Sequence, residues 1–113
     1  MIKVGLYIDD FQFGTSLADS LSMANFQFKF FDKNDFNCNH FTYIIIDLDD
    51  LNNYNEIKLN EYKSAFSKTI VIVTSNDITK DFISSIKKLG WKWVFSKSTL
   101  RKNLINILND VSA

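Results

Sequence analysis

The chain has 113 residues, 46% hydrophobic and 23% charged, which indicates one globular domain, residues 1–113, with a single core. Its 13 basic and 13 acidic side chains cancel and form no basic run, which argues against direct nucleic-acid binding and against membrane-surface binding. One cysteine, no signal-peptide pattern and no apolar run of roughly 18–20 residues together predict a cytoplasmic domain without disulfides or membrane helices.

The chain opens with an apolar run, Lys3–Ile8, which predicts a buried strand ending at two acids, Asp9 and Asp10. The small polar residues of Gly14-Thr15-Ser16 predict the N-terminus of a first helix. The apolar stripe of this helix comprises Leu17, Ala18, Leu21 and Ala24. Phe26–Phe31 alternates at first, as expected of an outer, half-exposed strand. The polar segment 32–41 has room for only one or two turns of a second helix.

The stretch Thr42–Asp50 (TYIIIDLDD) is the most informative part of the chain. Its apolar run, Tyr43–Ile46, does not alternate, which indicates a strand buried on both faces and hence a parallel sheet between helices. Asp47 lies where this strand leaves the core, and Asp49 and Asp50 follow in the loop. Open parallel sheets bind their ligands at this carboxyl edge.

Beyond it, a helix is predicted to extend to about Phe66, and Thr69–Val73 predicts a fourth strand that ends in Thr74-Ser75-Asn76. The inner positions of that helix are Ile57, Tyr62, Ala65 and Phe66. Asp77 is the expected N-cap of the next helix, and Gly90 its left-handed stop. The inner positions of the helix between Asp77 and Gly90 are Ile78, Phe82, Ile83, Ile86 and Leu89.

Trp91–Ser96 predicts the fifth strand, on which alternation would place Trp91 and Trp93 on one face. This strand ends at Lys97, and Ser98 or Thr99 is the expected cap of a final helix. Its inner positions are Leu100, Leu104, Ile105, Leu108 and Val111.

Strands that alternate with helices predict a doubly wound α/β fold with helices on both faces of the sheet and a short second helix. Right-handed crossovers favour a flavodoxin-like five-stranded parallel sheet in the order 2-1-3-4-5. That order brings together strand ends that carry three acids, a hydroxyl and an ammonium, namely Asp9, Asp10, Asp47, Thr74 and Lys97. Clustered carboxylates favour a hard cation such as Mg²⁺, and a carboxylate can accept a phosphoryl group whose oxygens a metal, an ammonium and a hydroxyl would stabilise.

These strand ends make the chain resemble the receiver domain of two-component response regulators. The family's motifs match YIDD after strand one, IIIDL after strand three, VIVTS after strand four and VFSK after strand five. Gly90, seven residues before Lys97, matches the family's glycine ahead of strand five.

The resemblance implies that Asp9, Asp10 and Asp47 bind Mg²⁺ with the backbone carbonyl of Asp49, and that Asp47 accepts the phosphoryl group. Thr74 and Lys97 would contact that group, which completes the implied site. The phosphoryl donor would be a histidine kinase or a phosphotransfer protein of a phosphorelay. Because the sequence ends soon after the last helix, the expected output of a stand-alone receiver is contact with a downstream protein, and a homodimer through the last helices and fifth strand is left open.

Four positions depart from the family pattern. Ser98 stands where a proline usually follows the lysine, and Val94 stands where an aromatic residue commonly moves during switching. Asp49 and Asp50 replace an apolar residue and a Pro-Gly turn. The family's metal and phosphorylation residues are all present.

Two alternatives stay open at this point. The first is a pseudo-receiver, an interaction module on the same fold that is not phosphorylated. The second is an enzyme, since Asp47-Leu48-Asp49 resembles the DxD motif of Mg²⁺-dependent nuclease and topoisomerase-type folds. Those folds need a glutamate at the first strand, where this chain has Asp9 and Asp10. Haloacid dehalogenase-like phosphatases place DxD after strand one, and here Phe11 and Gln12 stand where its second acid should be. We therefore expect a signalling domain with, at most, self-phosphotransfer and autodephosphorylation.

Overall fold

The computed structural model of the chain describes residues 2–37, 40–49, 56–76 and 78–112, and of residues 56–59 only the backbone. Five parallel strands form one sheet in the order β2-β1-β3-β4-β5, which confirms the predicted topology. The strands are β1 (Lys3–Tyr7), β2 (Gln27–Phe30), β3 (Tyr43–Asp47), β4 (Ile70–Ser75) and β5 (Trp93–Ser96). The described residues contain four helices, α1 (Phe11–Met23), α2 (Glu56–Ala65), α3 (Lys80–Lys88) and α4 (Lys97–Val111).

The central strand β3 is buried along its whole length between β1 and β4, as its unbroken apolar run predicts. The edge strand β2 is half-exposed, with Phe28 packed on the core and Phe30 directed to the surface. The complete burial of β3 follows from the helices that cover both faces of the sheet.

One face of the sheet is covered by α1 and α4 and is largely aliphatic; we call it the α1–α4 face. Its buried side chains include Leu6, Leu17, Leu21, Ile45, Ile72, Leu100, Leu104 and Leu108. The Tyr43 hydroxyl also lies here and donates to the Leu108 carbonyl at 2.9 Å. This bond ties the central strand to the last turns of α4.

The opposite face is rich in aromatic residues; we call it the α2–α3 face. Its buried side chains include Tyr7, Phe31, Ile44, Ile46, Tyr62, Phe66, Ile86 and Trp91. Tyr62 stacks on Phe66 with ring centroids 5.7 Å apart, and its ring is tilted against Tyr7 at 5.2 Å. Aromatic side chains bury large areas, so a few of them can fill this side of the core.

The predicted short second helix is not found in the described residues between β2 and β3, which form turns, a bend and stretches without regular structure. Side chains compete with a helix here, since Asp32 accepts a bond from the Asn34 amide at 2.9 Å and Asp35 one from the Asn37 amide at 3.0 Å. The Tyr62 hydroxyl donates to the Lys33 carbonyl at 3.2 Å, and the Tyr7 hydroxyl donates to the Asp35 carbonyl. Aromatic packing and tyrosine hydrogen bonds hold this segment against the sheet.

Two predicted helix starts are wrong. Asp10 caps α1 by accepting a bond from the Phe13 amide at 3.1 Å, so the helix begins three residues before Gly14. Ser96 caps α4 by accepting a bond from the Thr99 amide at 3.1 Å, in place of Ser98 or Thr99. Asp10 lies three residues after the end of β1, and Ser96 is the last residue of β5, so each helix begins within a few residues of the preceding strand.

The third predicted cap, Asp77, lies outside the described residues, and α3 begins after Thr79, whose hydroxyl accepts a bond from the Phe82 amide at 3.1 Å. Gly90 has a φ of 99°, which confirms the left-handed stop after α3. Ala65, expected to face inward, is exposed on α2.

Trp91 and Trp93 do not share a face. Trp91 is buried on the α2–α3 face, whereas Trp93 packs on the α1–α4 face. Trp91 precedes β5, so the alternation of the strand does not apply to it. None of the helices in the described ranges is both long enough and apolar enough to cross a membrane.

Candidate functional site

The predicted site residues are carried by neighbouring elements at the carboxyl edge of the sheet. Asp47 is the last residue of β3 and lies opposite Thr74 on β4 in the strand register. The pairing continues one residue further, where the Leu48 amide donates to the Thr74 carbonyl at 2.8 Å. Backbone hydrogen bonds therefore set the separation of Asp47 and Thr74.

Lys97 lies at the centre of the site because α4 begins directly after β5. It is the first helical residue, after the Ser96 cap, and only 4% of it is exposed. Its Nζ lies 2.9 Å from Oδ2 of Asp47, 3.2 Å from Oδ2 of Asp49 and 3.9 Å from Oδ2 of Asp10. The same ammonium lies 5.1 Å from the centroid of the Phe13 ring on α1, within the range of a cation–π contact.

Asp49 connects the loop after β3 to the end of β4. Its Oδ1 accepts a bond from the Ser75 hydroxyl at 2.5 Å, and its Oδ2 accepts one from the Asn76 amide at 2.7 Å. Its own backbone amide donates to Oδ1 of Asp47 at 2.9 Å. The Asp49 residue therefore binds both the candidate acceptor and the β4 end, and its carboxylate shares Lys97 with Asp47.

Burial and charge perturb three groups of the site in different directions. Burial raises the pKa of the Asp47 carboxyl above its ordinary value, although hydrogen bonds from Lys97 and from the Asp49 amide oppose this rise. For Asp49, burial is outweighed by bonds from Ser75, Asn76 and Lys97, which lower its pKa. For Lys97, burial is outweighed by the neighbouring Asp47 and Asp49 carboxylates, which raise its pKa. A perturbed, buried carboxyl beside a buried ammonium is typical of functional sites.

The Thr74 hydroxyl is fully buried, and its Oγ1 has no hydrogen-bond partner among the described residues. Buried hydroxyls are normally paired, so one without a partner at the edge of a site is suited to bind a group that arrives there. In the strand register, Thr74 lies directly opposite Asp47.

The acids predicted to bind a metal are brought to one edge, although with different environments. Asp10 is 45% exposed at its side chain and uses Oδ1 to cap α1, while Oδ2 faces Lys97. Asp9 precedes it and is exposed. Carboxylate and carbonyl oxygens are ligands that suit Mg²⁺, so the donor set fits a hard divalent cation in its chemistry.

The same donors do not form a ready-made metal site. Within the ranges that the structure describes, no group of three acidic, histidine or cysteine side chains is arranged to hold an ion. The Lys97 ammonium supplies the positive charge between Asp10, Asp47 and Asp49. Mg²⁺ binding would therefore require some of these side chains to move.

This arrangement of strands and side chains has counterparts among solved structures. A response regulator CheY-like protein from Mesorhizobium loti matches with a TM-score of 0.73 at 19% identity, covering 97% of this chain and 98% of that one. The chemotaxis protein CheY4 from Vibrio cholerae matches with a TM-score of 0.78 at 16% identity, covering 98% of each chain. The chain has the receiver-domain fold.

A third similar structure is a response regulator protein from Burkholderia pseudomallei with a phosphorylated aspartic acid, a calcium ion and citrate. It matches with a TM-score of 0.75 at 14% identity, covering 93% of this chain and 65% of that one. No protein-family model matches the chain, and the search of curated proteins gave no match. At these identities the likeness establishes the fold, and the roles of the site residues stay predictions.

Three groups of the site were not anticipated from the sequence. Ser75 and the Asn76 amide bind Asp49, and the Phe13 ring lies beside the Lys97 ammonium. Ser75 directly follows Thr74 in the VIVTS motif, which was the one available signal. Phe13 carries no such signal, because its proximity depends on the early start of α1.

Proposed function

We propose that the chain is a receiver domain that accepts a phosphoryl group on Asp47 and signals through contact with another protein. The observation that carries the proposal is the buried Asp47 carboxylate, 2.9 Å from the Lys97 ammonium and opposite the unpartnered Thr74 hydroxyl in the strand register. A carboxylate nucleophile, a fixed cation and a hydroxyl donor are what an acyl-phosphate site requires. The receiver-domain fold supports this assignment.

In the proposed reaction, an Asp47 carboxylate oxygen attacks the phosphorus of a phosphohistidine on a kinase or phosphotransfer protein. The new P–O bond forms as the P–N bond breaks, and the electron pair leaves with the imidazole of the donor. Lys97 would neutralise one phosphoryl oxygen, and the Thr74 hydroxyl would donate a hydrogen bond to another. Water would later hydrolyse the acyl phosphate and regenerate the Asp47 carboxylate.

Mg²⁺ is the cation that we propose for this site. Asp9, Asp10 and Asp47 would hold it with the backbone carbonyl of Asp49. When bound, it would supply positive charge to the phosphoryl oxygens. The chain's own contribution is to orient the acceptor oxygen and to supply Lys97 and Thr74.

The new charge on Asp47 would shift the population between two arrangements of the loops at this edge, and a partner protein would bind one arrangement more tightly. The activity is then a switch in a two-component phosphorelay. It needs a phosphoryl donor and a downstream protein, and no substrate is turned over beyond the acyl phosphate itself.

The direct test is incubation with acetyl phosphate and Mg²⁺, followed by intact-mass measurement. We expect wild type to gain one phosphoryl group, which a chelator prevents, and Asp47→Asn to gain none because it lacks the nucleophilic oxygen. Beryllofluoride should perturb the fluorescence of wild type alone. A wild-type protein that behaves like Asp47→Asn in both measurements contradicts the proposal.

The second candidate is a pseudo-receiver, a binding module on the same fold that is not phosphorylated. It is favoured by the contact of Asp49 with Lys97 and by the lack of a three-ligand metal cluster in the described residues. Titration with Mg²⁺ separates the two candidates. Saturable binding near the millimolar range that Asp10→Asn weakens supports the phosphorylated receiver, whereas no detectable binding supports the pseudo-receiver.

A further inference from the structure

The Asp49 carboxylate is bound by donors from two other elements of the structure. Ser75 Oγ, 2.5 Å away, and the Asn76 amide, 2.7 Å away, lie at the end of β4, and the Lys97 ammonium, 3.2 Å away, lies at the start of α4. One donor is a hydroxyl, one a backbone N–H and one a cation, and all of them point at the same two oxygens. Together they form an oxyanion cradle of the kind that binds carboxylates and phosphates.

This cradle is directly beside the candidate acceptor. Lys97 Nζ is shared, with Asp47 Oδ2 at 2.9 Å and Asp49 Oδ2 at 3.2 Å. A phosphoryl group on Asp47 would bring additional anionic oxygens next to the Asp49 carboxylate. The added negative charge would repel the Asp49 carboxylate and compete with it for the Lys97 ammonium, which weakens the contacts of Asp49.

The exposure of the two carboxylates also indicates that Asp49 lies between Asp47 and the surface. Asp47 is 2% exposed, while the side chain of Asp49 is 30% exposed. The Asp49 amide binds Oδ1 of Asp47, and the Asp49 carboxylate binds the lysine that covers Oδ2. Asp49 therefore contacts both oxygens of the buried Asp47 carboxylate, one directly and the other through Lys97.

We propose that the Asp49 carboxylate is an internal anion that occupies the donors a phosphoryl group would use, and so gates phosphorylation of Asp47. The inference rests on the proposed function. It adds that Asp49 is a positioning residue, because it acts on the reaction through Lys97, Ser75 and Asn76. Before phosphorylation, its carboxylate holds the loop after β3 to the end of β4. Phosphorylation displaces this carboxylate into solvent.

The first test measures occupation of the cradle without any phosphorylation. Inorganic phosphate is titrated into isotope-labelled protein in the absence of divalent metal, and the NMR signal of the Asn76 amide is followed. Asp49→Asn removes the competing charge, so phosphate should bind at least about tenfold more tightly than in wild type, as expected for one charge-assisted hydrogen bond. Equal phosphate affinity in the two proteins overturns the inference.

The second test measures gating. Asp49→Asn should be phosphorylated by acetyl phosphate and Mg²⁺ at least about tenfold faster than wild type, by the same charge-assisted bond. Equal rates overturn the inference and leave the proposed function intact. If phosphate binds more tightly to Asp49→Asn but neither protein is phosphorylated, the occupation of the cradle stands and the proposed function fails.

Two matched variants exclude a general effect of charge or folding. Asp49→Glu keeps the anion and should keep slow phosphorylation and weak phosphate binding. Asp19→Asn removes the same charge from an exposed position on α1 and should behave as wild type. An increase in phosphate affinity in Asp19→Asn as large as that in Asp49→Asn would contradict a specific role for Asp49.

Discussion

The residues of the site are positioned in two different ways. Asp10 is the cap of α1 and Lys97 is the first residue of α4, so both lie where a helix of the α1–α4 face begins. Asp49 instead lies in the loop after β3, and its contacts, Ser75 and Asn76, lie where β4 ends. One half of the site is therefore built on helix starts and the other on a loop and a strand end.

This difference separates a fixed half of the site from an adjustable one. Asp10 and Lys97 are coupled to helices whose buried leucines pack on the sheet, so moving them would disturb the core. Asp49 is held by hydrogen bonds that another anion could replace. The proposed switching would therefore take place mainly on the loop side.

The α2–α3 face also holds a segment that has no helix of its own. The described residues between β2 and β3 contain no helix, and Tyr62 contacts this segment through its bond to the Lys33 carbonyl and its ring contact with Phe36. The α1–α4 face is instead packed mainly by aliphatic side chains of its two helices and of the sheet. Aromatic side chains thus hold on one face a segment without regular structure, whereas aliphatic packing holds complete helices on the other.

The largest expected effect is that of Tyr62→Ala. Truncation of this fully buried ring should lower the free energy of unfolding by about 3–5 kcal/mol, because it leaves a cavity and removes the stacking with Phe66. Urea unfolding followed by tryptophan fluorescence measures this loss. Hydrogen exchange should rise in residues 32–37 before it rises in α4.

Leu100→Ala is the matched truncation on the α1–α4 face, since Leu100 is also fully buried. It should cost about 2–5 kcal/mol, but exchange in residues 32–37 should rise only with global unfolding. Equal local protection of this segment in the two variants would show that Tyr62 does not hold it.

The regular part of the fold could be predicted from the sequence because its signals are local. Apolar runs without alternation identified the inner strands, and right-handed crossovers reduced the sheet to one order. Once that order is known, Asp47, Thr74 and Lys97 have to meet at one edge. The candidate site therefore follows from the order of the strands.

The remaining features depend on geometry that the residue pattern does not carry. Asp10 and Ser96 look like strand ends, and only the abrupt passage from strand to helix makes them caps. Trp91 follows the left-handed turn at Gly90, so the alternation of β5 could not be extended back to it. The partners of Asp49 depend on the path of the loop, which loop composition does not determine.

An intermediate effect is expected from Ser96→Ala. The Ser96 hydroxyl accepts a bond from the Thr99 amide at 3.1 Å, and its loss should lower the free energy of unfolding by about 1 kcal/mol. Because Lys97 follows this cap, loosening it should also weaken the fixed half of the site. Urea unfolding measures the loss of stability, and the rate of phosphorylation by acetyl phosphate measures the effect on the site.

Ser98→Ala is the control for this cap, since Ser98 is exposed in the same helical turn. We expect a change within about 0.5 kcal/mol, as for a surface substitution. If Ser98→Ala proves the more destabilising variant, Ser98 is the N-cap of α4, as the sequence pattern predicts, and the assignment of the cap to Ser96 is wrong.

Effects similar in size to that of Ser96→Ala come from two tyrosine hydroxyls, one on each face. Tyr43→Phe removes a buried bond of 2.9 Å to the Leu108 carbonyl, in the last turn of α4, where helix carbonyls lack partners within the helix. Tyr62→Phe removes a longer, partly buried bond of 3.2 Å to the Lys33 carbonyl. Both losses should fall within about 0.5–1.5 kcal/mol, with Tyr43→Phe the larger, because its carbonyl partner is left buried.

The two faces are distinguished more sharply by where hydrogen-exchange protection falls than by how much free energy of unfolding is lost. Tyr43→Phe should lower the protection of the end of α4 together with the sheet, since the bond joins the central strand to a packed helix. Tyr62→Phe should change hydrogen exchange chiefly in residues 32–37, because the rings of the α2–α3 face remain in place. If Tyr62→Phe instead destabilises the whole domain as much as Tyr43→Phe does, the segment after β2 is as much a part of the core as α4.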